Sequence, residues 1–416
     1  MARKSSVNDG VQGAGAAQQM LASRRRIFGG DRVLWAIFTA LVVVSVLVVY
    51  SSTAKMAYDI SSRFTTTQLL RQQIMLVVLC IPTIVLVHKI DWKLFYRLTP
   101  LLYWLFVALT LLTYFIGTST NDAARWIAIG SVQFQPSEGL KVATILMLAR
   151  QMSSRQGSIN KINIMPTSIH LSDAKQKRIL RENTLPLLGP VLLSCGVVVT
   201  AHTSSAILMF IASLIMLYIG RVRMRELVKF AAFTCLVGVL LLSVLRIGRA
   251  DVAGGRLSTW VKEWTTSSTP RTSYDMSDTQ RAMIAIREGG LFGEGAGHST
   301  TRALVTHPES DYAYAFFVSE YGSVIALILM MLYLWVFFRS IEIFRACRTP
   351  FPALMTLGLG LLITCQALLH IMVQVNLIPE TGQTLPLISR GGSSLLFTTL
   401  ALGMILSVSR TNSLEE

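Results

Sequence analysis

The sequence predicts an all-α, polytopic membrane protein with ten transmembrane helices and one large extracytoplasmic loop. Two observations support this fold class. Of the 416 residues, 52% are hydrophobic and only 14% are charged, whereas soluble domains carry about 25% charge. Apolar runs of about 20 residues, the length that crosses a bilayer as a helix, recur along the whole chain. A soluble enzyme and an enzyme with a single membrane anchor are therefore excluded.

The ten predicted spans follow one another from residue 31 to residue 409. They cover 31–53, 69–88, 98–117, 136–152, 185–202, 203–220, 227–245, 312–337, 353–377 and 392–409. Residues 1–30 are basic and rich in Gly, Ala, Ser and Gln, so they predict a disordered cytoplasmic tail and not a signal peptide. Residues 410–416 form the second cytoplasmic tail, because ten spans return the chain to its starting side.

The distribution of Lys and Arg predicts the orientation. With both termini in the cytoplasm, 24 of the 38 basic residues fall on the cytoplasmic side and five fall on short outer loops and span ends. The long loop 246–310 adds eight, which the positive-inside rule discounts. Topology thus explains the net charge of +16, and nucleic acid is not an expected partner.

The loop 246–310 contains a predicted helix. Ser277 and Gln280 have the spacing of a capping box, an apolar stripe follows, and Gly289 and Gly290 end the helix. This pattern favours a short amphipathic helix on the surface of the membrane or of the bundle. The glycine-rich run 289–297 predicts a chain that packs close to a ligand or to another backbone.

Charged groups at membrane depth are costly, so Glu138 and Lys141 in the fourth predicted span are informative. Pro136 suits the first turn of that helix, and the two charges then lie three residues apart on one face. The spacing alone fits two interpretations equally well. The pair either neutralises itself within the bundle or takes part in function.

The ninth predicted span carries Gln366, His370 and Gln374 at every fourth position. Such a polar face is typical of a helix that lines a bundle interior or a wet cavity. A single histidine there is more often a hydrogen-bonded contact between helices than a catalyst.

Asp311 stands at the start of the eighth predicted span. On position alone an N-cap is favoured, because a carboxylate suits the positive end of a helix. The alternative is a general base that takes a proton from a sugar hydroxyl. In 378–394, prolines and glycines interrupt an apolar hairpin, which indicates a re-entrant turn. Arg390 beside Gly391 and Gly392, at the start of a helix, would also suit an anionic ligand.

Together these segments resemble the FtsW/RodA/SpoVE family, the SEDS proteins (shape, elongation, division and sporulation). The matching motifs, spread from residue 125 to residue 394, are Arg125-Trp126, Gln135-Pro136-Ser137-Glu138 with Lys141, Thr279-Gln280 through Gly297, Asp311-Tyr312, Thr384-Leu385-Pro386-Leu387-Ile388-Ser389, and Gly391-Gly392-Ser393-Ser394. Each motif is short, but their order and spacing make a chance match very improbable.

The resemblance implies a ten-span glycosyltransferase that polymerises lipid II into peptidoglycan strands. It implies that Asp311 is the catalytic carboxylate and that Glu138 and Lys141 belong to the same polar cavity. Substrate-binding residues are expected within the matched motifs, namely Arg125, Trp126, Gln280, Ser389, Arg390, Gly391 and Gly392. A divalent cation, Mg or Mn, is one candidate source of further positive charge, and no organic cofactor is expected.

The resemblance also implies partners and a location. Lipid II, the growing glycan strand, a class B penicillin-binding transpeptidase and other membrane proteins of the divisome are the expected partners. The bacterial cytoplasmic (inner) membrane at the division site is the expected location. The basic tail and the modest length favour the division branch of the family over the elongation branch.

The sequence departs from the family pattern at three places. Residues 201–205 lack the usual acid, Arg390 stands where Tyr is common, and His370 stands where Asn is common. Two other functions compete with that of a polymerase. A lipid II flippase would also use interrupted helices and charges within the membrane, although no inverted pair of broken segments is evident. A non-catalytic scaffold would leave Glu138, Lys141 and Asp311 unexplained.

The orientation can be tested with topology reporters. A reporter fused after Arg178 is expected in the cytoplasm and one inserted near Thr269 outside it, because the basic residues place these segments on opposite sides. Accessibility of each reporter in intact cells is the measurement. Both reporters on the same side would contradict the assignment of spans.

Overall fold

The computed structural model describes residues 29–58, 66–116, 118–120, 123–129, 132–157, 159, 180–199, 202–244, 249–265, 276–305 and 307–415. Most of the predicted tail 1–30 and the two reporter positions, Arg178 and Thr269, lie outside these ranges.

Within these ranges the chain forms twelve α-helices. They are α1 Arg32–Tyr58, α2 Thr66–Val87, α3 Trp92–Ile116, α4 Pro136–Ser154, α5 Leu185–Val199, α6 Thr203–Ile219, α7 Met224–Val244, α8 Arg249–Thr265, α9 Asp278–Gly289, α10 Ala313–Ala346, α11 Pro350–Gln374 and α12 Gly392–Glu415. A π-helical turn, Leu180–Thr184, precedes α5, and a 3-10 turn, Thr300–Ala303, precedes α10. A helix lies at each of the ten predicted spans.

Seven helical segments of the described chain are long and apolar enough to cross a membrane. They are Arg32–Ser52, Leu70–Val87, Trp92–Phe115, Leu180–Val199, Ala313–Ala346, Pro350–Gln374 and Gly392–Asn412. The apolar helix α6 is shorter. The multi-span fold is thus confirmed, whereas the number ten stays a prediction. Helix α4 is less apolar than these segments. Of its 19 residues, 14 are buried, including a charged pair, so α4 faces protein and not lipid.

A small antiparallel sheet, which the sequence did not predict, joins α3 to α4 in this mainly helical fold. Its strands are β1 Thr118–Thr120, β2 Ala123–Ile129 and β3 Val132–Phe134, in the order β1-β2-β3. Thr118 pairs with Trp126, and Ile127 pairs with Phe134. Strands of three to seven residues do not stand out against long flanking apolar runs, so the sequence pattern missed them.

The centre of the bundle consists of α4, α11 and α12. The helix α11 packs against α4, α6, α10 and α12, and most of its residues are buried. Peripheral helices instead leave large apolar side chains open: Met75 on α2, Leu101 on α3 and Phe115 on α3 are 64%, 65% and 85% exposed. Such a surface is unfavourable in water, and it is expected where helices face lipid.

The described part of the large loop contains two α-helices, of which only α9 was predicted. The capping box is confirmed: the Gln280 amide donates to Ser277 Oγ, and the Ser277 amide donates to Gln280 Oε1, both at 3.1 Å. The helix ends at Gly289 as expected and packs against the start of α10. The other helix, α8, contacts the chain beyond α11, because the indole nitrogens of Trp260 and Trp264 both donate to the carbonyl of Asn376.

The helix α10 is interrupted at Gly322, whose φ is +82°. Backbone groups of the glycine-rich run 289–297 fill the break: Glu294 N donates to Ser319 O (3.0 Å), Gly295 N to Glu320 O (2.9 Å), and Ser323 N to Gly290 O (3.0 Å). A Cβ on Gly293 or Gly322 would lie 2.3 Å from a carbonyl oxygen of the other segment. Of the two alternatives that the sequence left open, the run therefore packs against another backbone.

This contact makes Gly322 a sensitive position. Gly322→Ala is expected to lower the free energy of unfolding by at least about 1–3 kcal/mol, because it adds a steric clash to a backbone conformation that L-residues rarely adopt. The thermal unfolding midpoint in detergent measures the effect. Gly238→Ala on α7 is the matched control, since no atom lies within 4 Å of its added Cβ. Equal midpoints for both variants would contradict the packing described here.

Candidate active site

Asp311 lies in the turn before α10, two positions ahead of Ala313. The N-cap position belongs to Tyr312, so the favoured interpretation of Asp311 as the N-cap is wrong. Asp311 is half-buried, and its carboxylate forms no ion pair with any described residue. Burial raises the pKa of this carboxyl above its ordinary value of 3.8, and nearby His307 opposes that effect. A raised pKa makes the carboxylate a stronger base than an ordinary aspartate.

The backbone that carries Asp311 is held by three donors. Arg390 N donates to Glu309 O, Ser389 Oγ donates to Ser310 O, and Gln374 Nε2 donates to Asp311 O, each at 2.7 Å. Two of the predicted substrate-binding residues thus contact the chain next to Asp311. Ser389 does so through its hydroxyl and Arg390 through its backbone.

An ion pair lies beside Asp311. His307 Nδ1 is 3.6 Å from Glu309 Oε1. The neighbouring Glu309 carboxylate raises the pKa of His307 above its ordinary value of 6.5. Burial alone would raise the pKa of Glu309, but the nearby His307 holds it below its ordinary value of 4.5. Both shifts favour the charged pair, and its cation lies close enough to influence Asp311.

Glu138 and Lys141 form the predicted pair in the first two turns of α4. Lys141 Nζ lies 2.9 Å from Glu138 Oε1, and the two residues are only 1% and 8% exposed. Lys141 also donates to Gln366 Oε1 at 3.0 Å. A small cavity opens beside them, lined also by Phe397 and Thr398 of α12. An ammonium in this environment is stabilised by one carboxylate and one amide oxygen, and it lies at the wall of the small cavity.

The polar face of α11 is confirmed, and it connects the two charged regions. Gln366 contacts Lys141, and Gln374, eight residues later, contacts the backbone of Asp311. The helical rise puts these two positions about 12 Å apart along the axis. Between them, His370 is 1% exposed and bonded on both ring nitrogens, to Gln383 O and to Gln374 Nε2. It is therefore a hydrogen-bonded contact, as the sequence favoured.

The chain between α11 and α12 is irregular and lies among the helices. Side chains of three helices satisfy its carbonyls: His370 donates to Gln383 O (2.7 Å), Gln366 to Thr384 O (3.0 Å), Tyr333 to Pro386 O (2.6 Å) and Ser45 to Ile388 O (3.3 Å). This is the condition under which non-helical backbone is tolerated at membrane depth. The predicted re-entrant turn is consistent with this arrangement.

Other predicted site residues lie on separate elements. Trp126 is half-buried on β2, which packs against α3 and α4. Arg125 lies on the same strand, but its side chain is outside the part of the chain that the structure describes. Gln280 is part of the α9 capping box. Gly391 and Gly392 lie at the start of α12. The Arg390 guanidinium donates to Gln72 Oε1 at 3.0 Å.

Sequence reasoning missed Gln383, whose amide donates to the hydroxyls of Ser204 and Ser205 at 3.1 and 2.8 Å. No local pattern marks a glutamine in a turn rich in Gly and Pro. These two serines belong to the segment 201–205, in which the acid usual for the family is missing. Hydroxyl groups here bind a neutral amide.

The expected divalent cation finds little support in the donor groups. Among the described residues, no group of three or more His, Cys, Asp and Glu side chains is arranged to hold a metal ion. Hard cations such as Mg²⁺ prefer several oxygen ligands, with carboxylates prominent among them. The positive charge at the cavity is that of Lys141.

Known relatives cover most of the chain. Stage V sporulation protein E of Bacillus subtilis is 26% identical over 388 residues, covering 91% of this chain and 97% of that protein. A probable peptidoglycan glycosyltransferase FtsW of Haemophilus influenzae is 27% identical over 313 residues, covering 74% and 72%. A protein of the same name from Coxiella burnetii is 28% identical over 299 residues, covering 70% and 73%.

Solved structures share the fold. A chain from a peptidoglycan synthase complex, described for its coordination of polymerization and crosslinking, superposes with a TM-score of 0.64 at 20% identity, covering 92% of this chain and 98% of that one. The rod shape determining protein RodA of Thermus thermophilus gives a TM-score of 0.57 at 23% identity, covering 92% and 97%.

The match to a family profile is equally extensive. The profile of the FtsW/RodA/SpoVE family, described as "Cell cycle protein", matches residues 31–414. This range runs from the start of α1 to the last turn of α12, and it includes both charged regions of the candidate site. The protein is therefore a member of the FtsW/RodA/SpoVE family of multi-pass membrane proteins.

Proposed function

We propose that this protein is a peptidoglycan glycosyltransferase that polymerises lipid II during cell division. The observation that carries the proposal is that one polar helix face leads from a carboxylate to an ammonium. A half-buried carboxylate, Asp311, lies next to Gln374 at one end of the α11 stripe, and a buried ammonium, Lys141, contacts Gln366, eight residues earlier on the same helix. Relatives named probable peptidoglycan glycosyltransferase FtsW support the same activity.

The reaction is a single displacement with inversion. The 4-hydroxyl of an acceptor lipid II attacks the anomeric carbon of the growing strand. The new carbon–oxygen bond forms as the bond to undecaprenyl pyrophosphate breaks. Asp311 accepts the hydroxyl proton, by analogy with the base of inverting glycosidases. The electron pair of the broken bond remains on the pyrophosphate, whose added negative charge Lys141 stabilises.

Separation of the base and the cation suits this chemistry. In an inverting displacement the nucleophile and the leaving group occupy opposite faces of the sugar carbon. The base that acts on the nucleophile and the cation that stabilises the leaving group must then also lie on opposite sides of that carbon. Glu138 has the supporting role of compensating and orienting the Lys141 ammonium while the site is empty, because an isolated buried charge is very unfavourable. No step of this mechanism runs through a divalent cation.

The proposal includes a location and a partner. The protein acts in the bacterial cytoplasmic membrane at the division site, with ten spans and both termini in the cytoplasm. Its partner is a class B penicillin-binding transpeptidase. A solved neighbour comes from a complex that coordinates polymerization and crosslinking, which supports that pairing. An elongation enzyme like RodA is the alternative within the family, and depletion of the protein distinguishes the two: filaments indicate division, and round cells indicate elongation.

Asp311→Asn tests the base. Asn keeps nearly the same shape, so folding and membrane insertion should persist, but it cannot accept the proton. Polymerisation of lipid II by the purified protein with its transpeptidase partner should fall by about 100-fold to 10,000-fold. The wild-type rate should itself fall as the pH drops through the raised pKa of Asp311, because only the ionised carboxylate is a base. An Asn variant with the wild-type rate would refute the assignment, and a flippase would show no polymerisation with either protein.

Lys141→Ala is expected to lower the polymerisation rate more than Glu138→Gln. The alanine removes the charge that the leaving group needs, whereas glutamine still accepts a hydrogen bond from Lys141. Rates are compared per folded molecule, with the folded fraction taken from size-exclusion chromatography. If the pair is only structural, both variants lose folded protein while the surviving molecules retain full activity. That outcome would discard the role of Lys141 in catalysis.

A further inference from the structure

The first turn of α10 lacks a cap from its own chain segment. The first amides of a helix have no partner within the helix, and an N-cap side chain usually accepts from one of them. Tyr312 occupies the N-cap position and makes no such hydrogen bond. Instead, the amide of Ala315, the third residue of α10, donates to Gln374 Oε1 of α11 at 2.6 Å. A residue from another helix thus replaces the missing cap.

The Gln374 side chain also contacts Asp311, the proposed base. Gln374 Nε2 donates to the carbonyl of Asp311 at 2.7 Å. A carbonyl only accepts and a backbone amide only donates, so the orientation of the Gln374 amide group is unambiguous. One buried glutamine therefore holds the backbone on both sides of the turn that presents the Asp311 carboxylate.

His370 fixes that glutamine in turn. The second hydrogen of Gln374 Nε2 points to His370 Nε2, 2.7 Å away, so this ring nitrogen must accept. The proton of the neutral ring is then on Nδ1, which donates to Gln383 O at 2.7 Å. The side chain of Gln383 is held by Ser204 and Ser205 of α6. The side-chain N–H groups of Gln374, His370 and Gln383 all meet acceptors, and these three residues are at most 3% exposed.

We propose that Gln374, oriented by His370, is a positioning residue for Asp311. The inference rests on the proposed function of Asp311 as the proton acceptor. Gln374 touches backbone and not substrate, so its effect runs through the placement of the carboxylate. A general base works only within hydrogen-bond reach of the proton it takes, and an error of about 1 Å costs up to about 100-fold in rate. The hydrogen bonds that run from α6 through Gln383 to His370 and Gln374 of α11 supply that precision.

Gln374→Met tests the proposal in the full-length protein with its transpeptidase partner. The substitution keeps the length of the side chain and removes its hydrogen bonds. The kcat for lipid II polymerisation should fall about 10-fold to 100-fold with KM unchanged, because a misplaced base affects the transition state and not ground-state binding. Thr364→Val is the matched control. Thr364 lies on the same helix and donates to Tyr333 O of α10, away from Asp311, so kcat and KM should remain those of the wild type.

A second variant separates capping from positioning. Gln374→Glu retains an oxygen for the Ala315 amide, and a single proton between its other oxygen and His370 Nε2 satisfies that contact, but no donor remains for the Asp311 carbonyl. The protein should fold, and kcat should still fall with KM unchanged. Wild-type kcat per folded molecule in either Gln374 variant would overturn the proposal, even where folded protein is lost.

Asp311→Asn, measured in parallel, keeps the two proposals apart. An inactive Asn variant beside a fully active Gln374→Met refutes only the positioning role. An active Asn variant refutes the assignment of the base itself.

Discussion

Non-helical backbone inside a membrane bundle must find its hydrogen-bond partners within the protein, and the rest of the site depends on how residues 383–388 do so. No water is at hand to satisfy a carbonyl at that depth. The donors come from Ser45, Tyr333, Gln366 and His370, on helices that are far apart in the chain. Because the turn is held in this way, Ser389 and Arg390 can in turn hold the backbone next to Asp311. The polar side chains of these apolar helices thus fix the backbone conformation of the site.

The sequence predicted the local features well. The pairing of Glu138 with Lys141 and the capping box of Ser277 depend on residues three apart, which a helix brings together by its own geometry. Features that join distant segments left no such signal. The bond from Gln383 to Ser205 spans 178 positions. The cap of α10 comes from Gln374, so reasoning from neighbouring residues wrongly chose Asp311 as the cap.

Two departures from the family pattern meet in the structure. His370 stands where Asn is common, and the segment 201–205 lacks the usual acid. Gln383 contacts both, through its carbonyl to His370 and through its amide to Ser204 and Ser205. Each change looks isolated along the chain, but the two lie in one hydrogen-bonded chain that ends at the backbone of Asp311. A substitution at one of these positions therefore cannot be judged without the other.

The break in α10 bears on how the enzyme tolerates its membrane. The whole helix has 34 residues, about 51 Å at the helical rise, against a hydrocarbon layer of about 30 Å. A straight rod of that length would have to tilt as a unit in a thinner bilayer, and its tilt would carry the Asp311 end with it. The break at Gly322 divides this length, and the glycine-rich run bonds to both parts, to Ser319 before the break and to Ser323 after it. A change in bilayer thickness that tilted the long second part would therefore strain these bonds before it moved the Asp311 end.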